Sequence, residues 1–203
     1  MAKRLTREES RARTREKLLD SASALFAERG VNGASVEQIA EHAGFSRGAF
    51  YGNFADKPEL VAALLERRRH QDVREVSALA AGASDAAEVL NRLRAWHADR
   101  AENLAEWFTL RTELNLYALR NPSARPMVAE GERVARTAIK TGIEHRFRET
   151  LPPADPAFLA LIVHALEDGL LLQRFICPEG TSDDVVVDAA ELLLRGWEAL
   201  ARE

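Results

Sequence analysis

The stretch SVEQIAEHAGFSRGAFYGNFADK, from Ser35 to Lys57, decides how the chain is to be read. Ser35 followed three residues later by Gln38 is a capping box: the serine hydroxyl accepts from the Gln38 N–H while the glutamine side chain reaches back to the Ser35 N–H. The helix it opens is short, because Gly44 stands where a left-handed C-terminal cap is wanted. Phe45 fills the corner, and Ser46 is a fresh N-cap for a third helix of roughly two turns ending near Phe54. That helix contains Gly48 and Gly52, each costing about 1 kcal/mol relative to alanine, so packing rather than propensity must hold it. Phe50 and Phe54, four apart, are the inward anchors. Ser46, Arg47, Tyr51 and Asn53 are left on the outer face with side chains that hydrogen-bond phosphates or bases.

A helix, a glycine turn and a second short helix is the arrangement that reads duplex DNA: the first crosses the backbone and the second lies in the major groove. Two glycines on the second helix let it press close to the duplex. The flanks agree. From Thr14 to Arg29, Leu18, Ala22, Leu25 and Phe26 recur at i, i+4, i+7 and i+8, which predicts a preceding helix capped by Gly30. Asp56 caps a fourth helix, with Pro58 in its first turn and Glu59 completing another box, running through Leu60 and Leu64 towards Leu79. The first 17 residues hold seven bases, Lys3, Arg4, Arg7, Arg11, Arg13, Arg15 and Lys17, against Glu8, Glu9 and Glu16, a basic arm able to attract a polyanion. The net charge of −4 conceals this asymmetry: residues 1–70 carry 13 bases and 10 acids, the rest 15 and 22.

The run from Ser35 through Ile39, Ala40, Ala43-Gly44-Phe45-Ser46-Arg47-Gly48-Ala49-Phe50-Tyr51-Gly52-Asn53-Phe54 to Lys57 and Leu60 resembles the DNA-binding domain of TetR-type (TetR/AcrR) bacterial transcriptional regulators, over about 50 residues from Thr14 to Leu65. Family members often have Thr where this chain has Ser35 and His where it has Asn53; both changes keep a hydrogen-bonding group. The resemblance implies an all-α protein of about nine helices. Residues 1–55 would be a three-helix DNA-binding domain with its basic arm, and residues 56–203 a larger helical effector-binding and dimerisation domain. It also implies phosphate contacts from Ser35, Tyr51, Asn53 and Lys57, with Ser46, Arg47 and Gly48 against base edges.

Beyond residue 80 the pattern stays helical. Gly82 breaks the fourth helix; Asp85 and Glu88 box a fifth lined by Val89, Leu93 and Trp96; Leu110, Leu114 and Tyr117 mark a sixth, stopped at Asn121-Pro122; a seventh runs from Pro126 to Thr150. Asp155 and Pro156 start an eighth, and a ninth begins near Asp183. These last two are apolar almost all round, so something must cover them on every side, and a partner chain packing four helices together is the natural supplier. Leu159, Ile162, Leu166, Leu170, Leu193 and Trp197 are the expected dimer contacts. Trp96, Trp107, Arg111, Tyr117, Phe147 and His164 supply the mix of aromatic and polar groups expected of an apolar ligand cavity, one that takes a lipophilic or aromatic effector.

Apolar residues make up 46% of the chain, yet no uninterrupted apolar run approaches the roughly 18 residues of a bilayer-crossing helix, and the charged N-terminus is not a secretory signal. No membrane association and a cytoplasmic location are therefore expected. Cys177, the single cysteine, is expected as a buried thiol. His42, His70, His97, His145 and His164 form no Glu-x-x-His pair, and neither H-E-x-x-H, a P-loop, G-x-G-x-x-G nor G-x-S-x-G occurs, so neither enzyme, cofactor nor metal is expected. His164 shares a helix face with Glu167 and Asp168, a triad able to bind a metal or polar ligand groups, but reads rather as a hydrogen-bonded core histidine. Arg67, Arg68, Arg69 and His70 read as a solvated charge run. The reading is a homodimeric regulator, a repressor released from a palindromic double-stranded operator by a small molecule. The competing readings are a sequence-tolerant architectural DNA binder and a helical enzyme.

Overall fold

The computed structural model describes residues 6–80, 86–99, 102–147 and 152–201. Among them are nine α-helices and no strand: α1 (Arg7–Gly33), α2 (Val36–His42), α3 (Arg47–Tyr51), α4 (Lys57–Ala80), α5 (Ala86–Asp99), α6 (Leu104–Arg120), α7 (Arg125–Arg146), α8 (Pro156–Ile176) and α9 (Val185–Leu200), with one 3-10 turn at Pro122–Ala124. The protein is all-α. Lys3, Arg4, Gly82, Asp85 and Thr150, to which the sequence assigned roles, lie outside the described residues, as do the side chains of Arg69, Val89 and His97.

Two units are each compact by themselves: Met1–Arg69 with Glu106–Val128, and His70–Ala105 with Ala129–Glu203. The first is built around Leu18, Ala22 and Phe26 of α1, Ile39 of α2, Phe50 and Phe54 at α3, and Leu60, Val61 and Leu64 of α4, with Leu110 and Leu114 of α6 in the same cluster. The second holds a smaller cluster of Ile143, Phe147, Leu159, Ala160 and Trp197. Its α5 is tied to α9 by Arg94, whose guanidinium meets Glu191 at 2.9 Å and Asp188 at 3.3 Å.

Several expectations are corrected. The segment Arg7–Arg13 is not a loose arm but the first turns of α1, which starts at a capping box: Thr6 Oγ1 accepts from Glu9 N–H (3.1 Å) and Glu9 Oε2 from Thr6 N–H (2.7 Å). Gly30 does not end α1 but kinks it, at φ 74° and ψ 160°. Glu113 of α6 reaches this kink and accepts from the Val31 N–H at 3.4 Å. A Cβ on Gly30 would stand 2.9 Å from the Glu113 carboxylate, the flexible end of a side chain that can shift, so it is the backbone conformation that needs glycine. Arg67 is no solvated charge; it binds Asp20 (2.7 Å), Glu16 (3.3 Å) and Ser23 (3.1 Å) of α1, and Arg68 lies 5.2 Å over the Trp107 ring. Cys177 is exposed. Finally, α8 is long and apolar enough to cross a bilayer by length and composition, where the sequence predicted no such segment.

Candidate nucleic-acid interface

Each helix around the α2–α3 turn is started and stopped by the residues the sequence singles out. Ser35 Oγ accepts from Gln38 N–H at 3.2 Å and Gln38 Oε1 from Ser35 N–H at 2.8 Å. Gly44 adopts φ 77°, and the Phe45 N–H returns to the Ala40 carbonyl at 2.8 Å, closing α2. Ser46 Oγ then accepts from Ala49 N–H at 3.3 Å. Asp56 Oδ1 caps α4 through Glu59 N–H at 2.8 Å, while the Glu59 side chain reaches one residue further than predicted, to the Ala55 N–H at 2.6 Å.

Packing fixes which way α3 faces. Phe50 and Phe54 are fully buried with ring centroids 5.6 Å apart, so the five-residue helix is anchored by its aromatic side. Its outer side, Ser46, Arg47, Gly48 and Tyr51, is exposed. At Gly48 a Cβ would meet only Ser46 Oγ, at 3.7 Å. The fold itself does not require a glycine there.

Arg47 is held ready by its neighbours. One terminal nitrogen lies 2.9 Å from Glu37 Oε1 of α2, another donates to Tyr51 Oη at 3.4 Å, and the guanidinium sits 5.4 Å from the Tyr51 ring. The hydrogen bond to Tyr51 and the Glu37 charge raise the Arg47 pKa, so it stays cationic. All these contacts are exposed and weak. Lys57, the first residue of α4, is half-buried 6.0 Å from the Phe26 ring, and burial lowers its pKa. Asn53 departs from the expectation: Nδ2 donates back to the Ala49 carbonyl at 2.8 Å. Its own carbonyl accepts from Arg15 at 2.8 Å, while the Arg15 guanidinium lies 4.1 Å over Phe54. Arg15 and Asn53 thus lock α1 to the end of α3.

Sequence reasoning missed two supports. Ser21, buried in α1, donates to the Ile39 carbonyl at 2.8 Å and pairs with His42 Nδ1 at 3.0 Å, clasping α1 to α2. Glu37 aligns Arg47. Neither pair has a telling spacing, since the partners lie on different helices.

The other predicted residues divide between the units. Trp107, Arg111 and Tyr117 belong to the first, where Arg111 stacks 4.8 Å from the Trp107 ring and Tyr117 packs on the core cluster. Trp96, Phe147 and His164 belong to the second; Phe147 is core, and His164 Nε2 lies 2.6 Å from Glu132 Oε2 of α7. Of the expected dimer contacts, Leu159 (2% exposed) and Trp197 (8%) are spent on the chain's own cluster. Ile162, Leu166, Leu170 and Leu193 are half-buried. The exposed large apolar side chains of these helices are others: Phe158, Leu161, Leu172 and Ile176 of α8, Leu192 and Leu200 of α9.

A first helix kinked at glycine, a capped pair of short helices and an outward polar surface form a helix-turn-helix unit. The profile of the bacterial regulatory proteins of the tetR family matches residues 18–64. SrpR of Pseudomonas putida, an HTH-type transcriptional regulator, is 42% identical over 57 residues, a match spanning 28% of this chain and only 27% of SrpR. The transcriptional repressor AcnR of Corynebacterium diphtheriae is 29% identical over 143 residues, 68% of this chain and 70% of AcnR. SmeT, the repressor of the Stenotrophomonas maltophilia multidrug efflux pump SmeDEF, superposes with a TM-score of 0.62 at 30% identity, over 85% of this chain and 84% of SmeT; in its triclosan complex it matches with a TM-score of 0.69 at 25% identity, over 87% and 89%. The chain belongs to the TetR family. These relatives are regulators, not enzymes.

Proposed function

We propose that the protein is a homodimeric, sequence-specific repressor, acting in the cytoplasm, that leaves a palindromic operator when a small molecule binds. The observation that carries this is α3: five residues stapled inward by Phe50, with Ser46, Arg47, Tyr51 and a bare Gly48 turned outward. Arg47, on the first turn, is placed to reach guanine O6 and N7 bidentately, trading its weak Glu37 and Tyr51 contacts for base contacts. Ser35, Ser46 and Lys57 stand at helix N-termini, where backbone N–H groups and the helix dipole favour phosphate. Asn53 serves this surface by holding α3 rather than by touching phosphate.

Two copies would read half-sites about 34–36 Å apart. The uncovered faces of α8 and α9 are the proposed dimer surface, with Phe158, Leu161, Leu172, Ile176, Leu192 and Leu200 added to the half-buried Ile162, Leu166, Leu170 and Leu193. His164, Glu167 and Asp168 on α8 fit a helix enclosed by protein better than one in lipid. The effector is lipophilic or aromatic, the class to which the triclosan of SmeT belongs. The stacked Trp107–Arg111 pair and Tyr117, all in the first unit, are its proposed contacts; Phe147, sealed in the core, and Trp96 and His164, in the second unit, are dropped. Operator and effector must weaken each other's binding by the same factor.

The test is selection of a bound sequence from random duplex DNA, then isotherms across a salt series. Arg47→Ala should cost about 1–3 kcal/mol and relax one base pair per half-site. Lys57→Ala should weaken all sequences alike and flatten the salt slope by about one unit for each phosphate left without its lysine. Binding of scrambled and selected DNA with equal strength would instead mark an architectural DNA binder.

A further inference from the structure

We infer that Glu132, His164 and Asp168 form a site for one first-row divalent metal ion of the Zn2+ class, lying wholly within the second unit. One ligand atom from each of the three lies within 4.8 Å of the others. Helix α8 supplies His164 and, one turn on along the same face, Asp168; α7 supplies Glu132. His164 is 5% exposed. Its Nε2 meets Glu132 Oε2 at 2.6 Å, while Nδ1 has no hydrogen-bond partner among the described residues and faces Glu167 Oε2 at 3.9 Å.

A hydrogen-bonded core histidine accounts for Nε2 and leaves Nδ1 unexplained, since a buried ring nitrogen without a partner costs free energy. A metal on Nε2 accounts for both. Glu132 and Asp168 would complete its protein ligands, and the Nδ1–H would turn to Glu167, the outer carboxylate that orients a metal-bound imidazole. One imidazole with two carboxylates suits Zn2+, Co2+, Mn2+, Fe2+ or Ni2+; it lacks the thiolates that select Cu(I) and the all-oxygen shell of Ca2+. Tetrahedral ligands about 2.0–2.2 Å from Zn2+ stand about 3.4 Å from one another, so the 2.6 Å pair would open and the widest pair close by about an ångström each. Glu132 is a quarter exposed, so its carboxylate is not sealed in place by the core.

The experiment uses the full-length protein, stripped by chelator and titrated with Co2+ and then Zn2+. Expected are one equivalent of Co2+ per chain, visible absorption from protein-bound Co2+, and its loss as Zn2+ displaces it. His164→Gln should weaken Zn2+ binding at least 100-fold and Glu167→Gln about 10–100-fold, while His145→Gln, on an exposed part of α7, should change nothing. Circular dichroism checks folding; if His164→Gln does not fold, Glu132→Gln and Asp168→Asn at partly buried positions supply the same readout. The inference is overturned if the wild type shows no saturable binding at micromolar metal, or if folded ligand variants bind as tightly as wild type. These readouts involve no DNA and are independent of the proposed regulatory function.

Discussion

The two units use apolar residues in opposite ways. In the first, Leu18, Ala22, Phe26, Ile39, Phe50, Phe54, Leu60 and Leu64 are closed off by their own chain, and the residues turned outward around α3 are polar, cationic or bare. In the second, the core is small and the most apolar helices leave side chains uncovered, with Ile176 67% and Leu192 72% exposed. A monomeric protein rarely leaves so much apolar surface open on adjoining helices. On the proposed reading the first unit is finished by folding and would meet DNA through hydrogen bonds and charge, whereas the second would be finished only by association.

That contrast is most easily broken at Leu192. Because the side chain is exposed in the single chain, Leu192→Asp should leave folding intact, yet in a dimer it would bury an unpaired charge at a cost of about 3–5 kcal/mol. Sedimentation should show a wild-type dimer at micromolar concentration and a variant whose dimer dissociation constant rises by at least about 100-fold; an undisturbed dimer would mean that α9 does not face the partner. In the first unit the sensitive point lies inside. Gly30→Ala forces a side chain into a backbone region that only glycine populates, and should lower the unfolding free energy in urea by about 1–3 kcal/mol. Ser21→Ala removes the clasp to the Ile39 carbonyl and His42, a smaller loss of about 1 kcal/mol visible as a lowered melting temperature.

The α2–α3 region was legible because its signals are local. Ser35 with Gln38, Gly44, Ser46 and the four-residue spacing of Phe50 and Phe54 each specify their own geometry within one turn of chain. The start of α1 was missed although its capping box, Thr6 with Glu9, was present, because the charged residues from Arg7 to Lys17 carry no apolar rhythm to announce a helix. Where partners are distant, the sequence is silent: nothing links Glu132 to His164, Glu113 to Gly30 or Glu37 to Arg47. Apolar character alone likewise could not tell Leu159 and Trp197, which fill the chain's own core, from Ile176 and Leu192, which do not. Cys177 read as a buried thiol on residue type, but it follows the last turn of α8 and is exposed there.

The central claim is that the bare outer face of α3 enters the major groove. Gly48→Leu tests it most directly, because leucine is the better helix former and its Cβ meets only Ser46 Oγ, in ordinary contact at 3.7 Å. Binding isotherms on the selected operator, with circular dichroism as the folding control, should show a folded protein at least as stable as wild type whose operator affinity has fallen to the level of scrambled DNA. A folded Gly48→Leu protein that holds its operator at wild-type strength would contradict the account.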